Sequence, residues 1–155
     1  MPEKNINEVA RDLRELFQKG MAALQRQNYD YAIAIFNQIL SREPAFFDCR
    51  QSLRATQFKK AGGSTTFFRK MFGGANPNLA KAKLAMQKNP AEALGILEQI
   101  LNSDPPNTSA HRMLADAALA ADFPRTAGLS LEILLKGANK DFELAMQYAE
   151  ALVRC

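Results

Sequence analysis

A short pattern of small, apolar and proline residues returns along this chain at a fixed interval. Ala32 stands twelve positions before Pro44, and Ala93 stands twelve positions before Pro105. The interval from Ala93 to Ala127 is thirty-four positions. A period of that length is typical of stacked helix-turn-helix units, in which neither helix buries its apolar face until neighbouring units pack on it. The repeat therefore predicts an all-α chain.

The apolar spacing inside each unit indicates a helix with one buried face. Ala32, Phe36 and Ile39 recur at i, i+4 and i+7, which places them on one side of a helix. Pro90 and Pro124 suit the first turn of such helices, where a missing N–H removes no hydrogen bond. Second helices are predicted at residues 29–41, 90–102 and 124–137. First helices are predicted at residues 45–60, 77–88, 107–121 and 142–153.

The first unit contains a recognisable set of positions. They are Leu16, Lys19, Gly20, Ala23, Ala32, Phe36 and Pro44. This pattern resembles the tetratricopeptide repeat, although Leu16 and Ala23 replace the aromatic residues usual there. The resemblance implies a right-handed superhelical array of antiparallel helix pairs.

The repeat register is not uniform along the chain. The interval from Ala32 to Ala93 is sixty-one positions, which is seven fewer than two periods. We therefore expect the second unit to keep its first helix, ended by Gly62-Gly63, and to have a shortened second helix. The chain is predicted to be one domain of about eight helices. Its units are predicted at about 13–46, 47–73, 74–107, 108–141 and 142–155.

The two ends of the repeat carry separate predictions. Asn5 or Asn7 is expected to cap a long first helix that runs to about Gln27. The last helix, at 142–153, has no second helix to complete its unit. Either it caps the array, or the chain is a piece of a longer array. An incomplete unit of this kind also predicts self-association through the last helix.

The basic residues are concentrated in the middle of the chain. Residues 49–91 contain no acidic residue and nine basic ones, while the rest of the chain carries 11 basic and 16 acidic residues. The nine are Arg50, Arg54, Lys59, Lys60, Arg69, Lys70, Lys81, Lys83 and Lys88. A local field of this sign attracts acidic partners and raises encounter rates. We therefore expect a partner protein or peptide of acidic character.

Aromatic residues are concentrated in the same part of the chain, where six of the ten phenylalanines lie between Phe46 and Phe72. The candidate docking segment is Phe67, Phe68, Arg69, Lys70, Met71 and Phe72. One interpretation is a short helical turn that fills the core in place of the missing full helix. The other is an exposed loop that docks on a partner or an anionic membrane surface. Nucleic-acid binding is less favoured, because no recognised motif accompanies these residues.

The sequence offers no catalytic or metal-binding set. His111 is the only histidine and lacks a neighbouring nucleophile with supporting residues, so we expect it to have a packing or solvent role. Cys49 and Cys155 form neither a disulfide framework nor a metal site. We expect no enzyme activity, no cofactor and no metal. The lack of a long apolar run predicts no membrane span, and the polar start predicts a cytoplasmic protein.

The resemblance to the tetratricopeptide repeat also implies where a partner binds, because the first helices of that family line a concave groove. The corresponding groove residues are Arg14, Phe17, Met21, Gln51, Ala55, Phe58, Asn78, Ala82, Arg112 and Asp116. Family members that hold a C-terminal carboxylate use lysine and asparagine where this chain has Phe17 and Met21, so an apolar or mixed peptide is the expected ligand. The predicted function is a protein-protein interaction scaffold. The alternative is a tether to an anionic membrane or a nucleic acid through residues 50–88.

Overall fold

The computed structural model describes residues 2–62, 76–138 and 142–155, with the side chains of residues 137–145 left aside. These ranges contain eight α-helices and no strand. The helices are α1 (Arg11–Gln25), α2 (Tyr29–Arg42), α3 (Phe47–Ala61), α4 (Asn78–Lys88), α5 (Pro90–Ser103), α6 (Thr108–Ala120), α7 (Pro124–Ala138) and α8 (Phe142–Arg154). The prediction of an all-α chain is confirmed for this part of the chain. The predicted limits of α4 to α8 differ from the observed ones by one residue at most.

Consecutive helices pack against each other as antiparallel neighbours do. The closest pairings are α1 with α2, α4 with α5, and α6 with α7, and each pair is joined by a connection of one to three residues. The helices α2, α5 and α7 then contact α3, α6 and α8 respectively. The shortened second helix predicted for residues 64–72 lies outside the described residues.

The small residues predicted at the helix crossings are buried where helices approach closely. Ala32, Ala93 and Ala127 are each 0% exposed. A Cβ atom on Gly20 would lie 2.5 Å from Cε1 of Phe36, a distance that real side chains do not tolerate. Gly20 is therefore required by the close contact of α1 with α2.

The turn between first and second helix has the same geometry in two distant units. Gln27 lies between α1 and α2 and Asp122 between α6 and α7, and both adopt the left-handed conformation, with φ of 62° and 63°. In each turn the following residue donates its N–H to the carbonyl oxygen five residues back, at 2.9 Å and 2.7 Å. This is the Schellman arrangement that satisfies the last carbonyls of a helix.

The predicted long first helix is wrong at its beginning. Asn5 forms a capping box with Glu8, but the helix so capped is a single 3-10 turn, Ile6–Glu8. Val9 then becomes extended and inserts into the core, so α1 begins only at Arg11. Burial of the Val9 side chain and the path of the preceding residues towards α3 account for the break.

The residues before α1 connect distant parts of the chain. Lys4 forms a parallel β-bridge with Phe46, through hydrogen bonds from Lys4 N to Ala45 O at 2.7 Å and from Phe47 N to Lys4 O at 2.9 Å. The carboxylate of Glu3 accepts a hydrogen bond from Thr126 N at 3.1 Å, in the first turn of α7. Burial raises the pKa of Glu3, and hydrogen bonds from the backbone N–H groups of Thr126 and Arg125 oppose the shift.

Two apolar cores lie on either side of a shared interface. One is formed by α1, α2 and the start of α3, and the other by α4 to α8. They meet where α2 contacts α5 and where α3 contacts α5 and α7. The guanidinium of Arg125 lies 3.9 Å above the ring of Phe47 at this interface. A regular array has contacts only between neighbouring units, so the packing of α3 on α7 is a departure from that pattern.

Candidate interaction surface

Six of the predicted groove residues lie on the neighbouring helices α1 and α3, and five of them are exposed or half-buried. Gln51 and Phe58 are exposed, and Phe58 has 36% of its surface accessible to solvent. Ala55 is exposed between them, so these three residues form one stripe along α3 at i, i+4 and i+7. Arg14 and Met21 on α1 are half-buried. Because α1 and α3 contact each other, the structure brings this set together; we call it the α1–α3 surface.

The assignment of Phe17 to the groove is wrong. Its ring is 8% exposed and lies 5.8 Å from the ring of Phe36 and 5.1 Å from the ring of Phe46, centroid to centroid. Phe17 shares the buried face of α1 with Leu13, one turn earlier, and fills the space between α2 and the start of α3. Ala82 on α4 is likewise buried.

The other predicted groove residues form a second exposed set. Asn78 lies at the start of α4, and Arg112 and Asp116 lie one turn apart on α6. Partial burial raises the pKa of Asp116, and the positive charge of Arg112 opposes the shift. The helices α4 and α6 contact each other, but the principal contacts of α3 are with α2, α5 and α7. The row of first helices is therefore interrupted between α3 and α4.

A buried ionic cluster that was not predicted from the sequence links α3 to α5. Arg50 Nη1 donates to Glu98 Oε2 at 2.7 Å, and Arg54 Nη1 donates to Glu98 Oε1 at 2.6 Å. Gln57 Nε2 donates to Asn102 Oδ1 at 2.8 Å beside them. Arg50, Arg54 and Glu98 are all at most 4% exposed.

The ionisation of Glu98 is fixed by its two partners. Burial alone would raise the pKa of this carboxyl group, but the charges and hydrogen bonds of Arg54 and Arg50 lower it to about 2. A signal for this cluster exists in the sequence. Glu98 stands between Leu94 and Leu101 on the apolar stripe of α5, where a carboxylate requires a buried partner.

Because of this cluster, some of the basic residues in the middle of the chain do not contribute to its surface charge. Arg50 and Arg54 belong to the core, and Lys60 Nζ lies 2.6 Å from Asp30 Oδ1. Four further lysines of the stretch are exposed: Lys59, Lys81, Lys83 and Lys88. Arg69 and Lys70, with the rest of the docking segment at residues 67–72, lie outside the described residues. The surface field of this stretch is therefore weaker than its composition indicates.

His111 has the packing role expected for it. It is 0% exposed, with Nε2 at 2.6 Å from Pro105 O and Nδ1 at 3.0 Å from Ser130 Oγ. The ring therefore donates from Nε2 and accepts at Nδ1. Burial, aided by the charge of Arg54, lowers its pKa to about 4. Ser130 is also fully buried, so this pair has no access to a substrate.

The described residues contain neither a candidate metal site nor a helix able to cross a membrane. They contain no group of three or more histidine, cysteine, aspartate or glutamate side chains able to hold a metal ion. None of their helices combines the length and apolar character needed to cross a bilayer. Cys49 is buried, its thiol donates to Phe36 O at 3.5 Å, and burial raises its pKa.

Comparison of the chain with protein-family models, with curated proteins and with solved structures gave no match. The resemblance to the tetratricopeptide repeat accordingly rests on the residues and helix pairs of this chain. Self-association through α8 also stays a prediction. That helix exposes Met146, Leu152 and Val153.

Proposed function

We propose that this chain is a protein-protein interaction module built as a tetratricopeptide-like array of helix pairs. The repeated turns at Gln27 and Asp122 support the common architecture, since both the left-handed residue and the hydrogen bond after it recur in helix pairs far apart in the chain. Gly20 and the buried alanines support close helix crossings of the kind that such arrays need. A rigid array of this type presents its binding surface ready-made, so little ordering cost opposes association.

The observation that carries the proposal is the stripe on α3. Phe58 keeps 36% of its surface in water, and it lies in line with exposed Gln51 and Ala55. An exposed aromatic ring beside small and polar side chains is typical of the residues that dominate binding energy at protein interfaces. The partner segment would lie on the α1–α3 surface and cover Phe58, with Arg14 and Met21 at its edge.

Affinity capture from cells of the source organism tests this proposal. The immobilised native chain is compared with Phe58→Ser, which removes the exposed ring. Tyr31→Ser is the matched control, because Tyr31 is an aromatic residue of similar exposure, 43%, on another helix, α2. The proposal expects a partner set that Phe58→Ser loses and Tyr31→Ser keeps. Equal capture by all three chains, each shown to be folded by its thermal transition, would refute it.

The tether to an anionic membrane or a nucleic acid has less support. Two of its nine basic residues, Arg50 and Arg54, are internal, and Lys60 faces Asp30. Binding to anionic vesicles or to nucleic acid that falls steeply as salt is raised would favour the tether. Charge reversal of Lys81 and Lys83, both exposed on α4, would then weaken that binding.

A further inference from the structure

Residues 2–9, which we call the 2–9 segment, lie on the body of the protein and are held there by hydrogen bonds more than by burial. None of residues 2–8 is buried, and Val9 at the end of the segment enters the core. The side chain of Ile6 packs half-buried against the core formed by α1, α2 and the start of α3. Residues 2–8 can therefore leave their place while exposing little apolar surface.

The donors that hold this segment belong to the first turns of two helices. Phe47 N, in the first turn of α3, donates to Lys4 O at 2.9 Å. Thr126 N, in the first turn of α7, donates to Glu3 Oε1 at 3.1 Å. The first N–H groups of a helix have no acceptor within the helix. Both donors therefore keep their positions and need another acceptor whenever the segment leaves.

The acceptors for the segment also belong to the body of the protein. Ala45 O accepts from Lys4 N at 2.7 Å, and Asp48 Oδ2 accepts from Ile6 N at 2.7 Å. Glu43 Oε2 lies 2.8 Å from Lys4 Nζ, and Ala45 N donates to Oε1 of the same glutamate at 3.3 Å. These groups are carried by the end of α2, the start of α3 and the residues between them. The site is therefore built without the segment that occupies it.

The fit of the segment in this site is incomplete at Glu3. The Oε2 atom of Glu3 is buried and has no hydrogen-bond partner among the described residues. A carboxylate oxygen that leaves water without gaining a partner is costly. Burial accordingly raises the pKa of Glu3, although the charges of Arg125 and Arg50 and the backbone hydrogen bonds oppose that shift. This cost offsets part of what the hydrogen bonds of the segment contribute.

We propose that residues 3–6 are an internal ligand that a partner protein displaces, the site then accepting an extended segment of that partner. The residues bound now indicate the chemistry of the partner segment, which is glutamate, then lysine, and an apolar residue two positions after the lysine. Main-chain hydrogen bonds give such a segment its affinity, and the side chains that alternate on its two sides give specificity. This second site adds to the proposed interaction function and does not depend on the α1–α3 surface.

Proline substitutions release the segment without changing its site. Lys4→Pro and Ile6→Pro together remove the two N–H groups that donate to Ala45 O and Asp48 Oδ2. Val9 keeps its place in the core, so this proline variant should retain a cooperative thermal transition. Lys4→Ala with Ile6→Val is the matched control, because both N–H groups remain.

Hydrogen exchange followed by NMR reports whether the segment has left. The amides of Phe47 and Thr126 should exchange with solvent about tenfold faster or more in the proline variant than in the native chain, because their acceptors have gone. The control variant should resemble the native chain. Unchanged exchange in the proline variant, equal release in the control variant, or loss of the cooperative transition would each show that the segment is not displaceable.

A synthetic peptide then supplies the segment from outside. An acetylated and amidated peptide with the sequence of residues 2–8 is titrated into each chain, and the amide signals of Phe47 and Thr126 are followed. It should bind the proline variant about tenfold more tightly or more than the native chain, whose own segment competes at an effective concentration on the order of millimolar. The same peptide with proline in place of Lys4 and Ile6 should bind about tenfold more weakly or less.

The peptide titrations can overturn the proposal in three ways. No binding to the folded proline variant would show that the site holds this segment only as part of its own chain. Equal affinity of the peptide for the native chain and the proline variant would show that peptide and segment do not share a site. Equal binding of the two peptides would show that main-chain pairing does not hold the ligand. None of these results depends on Phe58→Ser, which tests the α1–α3 surface separately.

Discussion

The helices α3 and α6 occupy equivalent places in the predicted second and fourth repeat units and bury corresponding positions with different chemistry. The buried residues of α6 are Ala110, His111, Leu114, Ala115, Ala117 and Ala118. The corresponding residues of α3, all buried, are Cys49, Arg50, Leu53, Arg54, Thr56 and Gln57. One helix therefore packs mainly through alanine, and the other through arginine, threonine and glutamine.

A single pair of positions shows what the two helices share. Arg50 Nη2 donates to Pro44 O at 3.0 Å, and His111 Nε2 lies 2.6 Å from Pro105 O. Both side chains thus bond the carbonyl group of a proline six residues earlier. Their other partners differ, because Arg50 meets Glu98 and His111 meets Ser130. The repeat fixes where a side chain points and leaves its charge free to vary.

The largest expected effect on stability comes from removing the carboxylate of Glu98, the buried partner of Arg50. Glu98→Gln removes the carboxylate from two buried arginines and is expected to lower the free energy of unfolding by about 3–5 kcal/mol. Glu92→Gln, on the exposed side of the same helix, should change it by no more than about 0.5 kcal/mol. Chemical denaturation measures both. Similar unfolding midpoints for the two variants would contradict a buried cluster.

The leucine that both helices retain allows a direct comparison of their packing. Leu53 and Leu114 are each 0% exposed, so truncation of either to alanine should cost about 2–5 kcal/mol. Denaturant titration of Leu53→Ala and Leu114→Ala gives the two values. A much smaller cost for Leu53→Ala would show that the polar face of α3 is less tightly packed than the alanine face of α6.

Acid should destabilise the two regions in different pH ranges. The pKa of His111 falls from 6.5 to about 4 on folding, so its contribution is complete above pH 6.5 and is lost as pH falls towards 4. The pKa of Glu98 falls from 4.5 to about 2, so its contribution is lost only below pH 4.5. The shift of the His111 pKa corresponds to about 3 kcal/mol of stability.

Unfolding free energies measured at successive pH values resolve these ranges. His111→Gln should remove the slope between pH 6.5 and 4.5, because the replacement does not titrate there. The native chain should still lose stability at lower pH through Glu98. A native chain whose stability is constant between pH 6.5 and 4.5 would show that His111 is not held neutral by its surroundings.

The smallest effects are expected where the repeat units are most alike. Gln27→Gly should raise the free energy of unfolding by about 0.5–1 kcal/mol, because glycine adopts positive φ without strain. Asp122→Gly should raise the free energy of unfolding by a smaller amount, since aspartate tolerates this conformation better than glutamine. Gln18→Gly, in the middle of α1, is the control, and it should lower the free energy of unfolding by about 0.5–1 kcal/mol. Thermal unfolding measures all three, and a loss with Gln27→Gly would contradict the turn geometry.

The sequence predicted most of the helices because their signals are local. Pro90 and Pro124 mark helix starts, and the stripe containing Ala32 and Phe36 defines a buried face within a few residues. The extended conformation of Val9 was missed because its cause lies elsewhere, in the pairing of Lys4 with Phe46.

The partners of Glu98 in the polar core could not be predicted for a related reason. Glu98 lies 48 residues from Arg50 and 44 from Arg54, and periodicity carries no information about partners at such separations. The same applies to the predicted groove. Phe17 has the spacing of a groove residue, but the rings that bury it belong to α2 and to the residue before α3.

The contact of Glu3 with α7 has a mechanical consequence. A helix needs acceptors for its first N–H groups, and α7 receives one from a residue 123 positions earlier in the chain. A force that pulls on the first residues therefore loads the amino end of α7 and the bridge to Phe46 before it reaches α1. A simple stack of repeats unfolds from its end one unit at a time, whereas here the contacts of Glu3 with α7 and of Lys4 with Phe46 must break first.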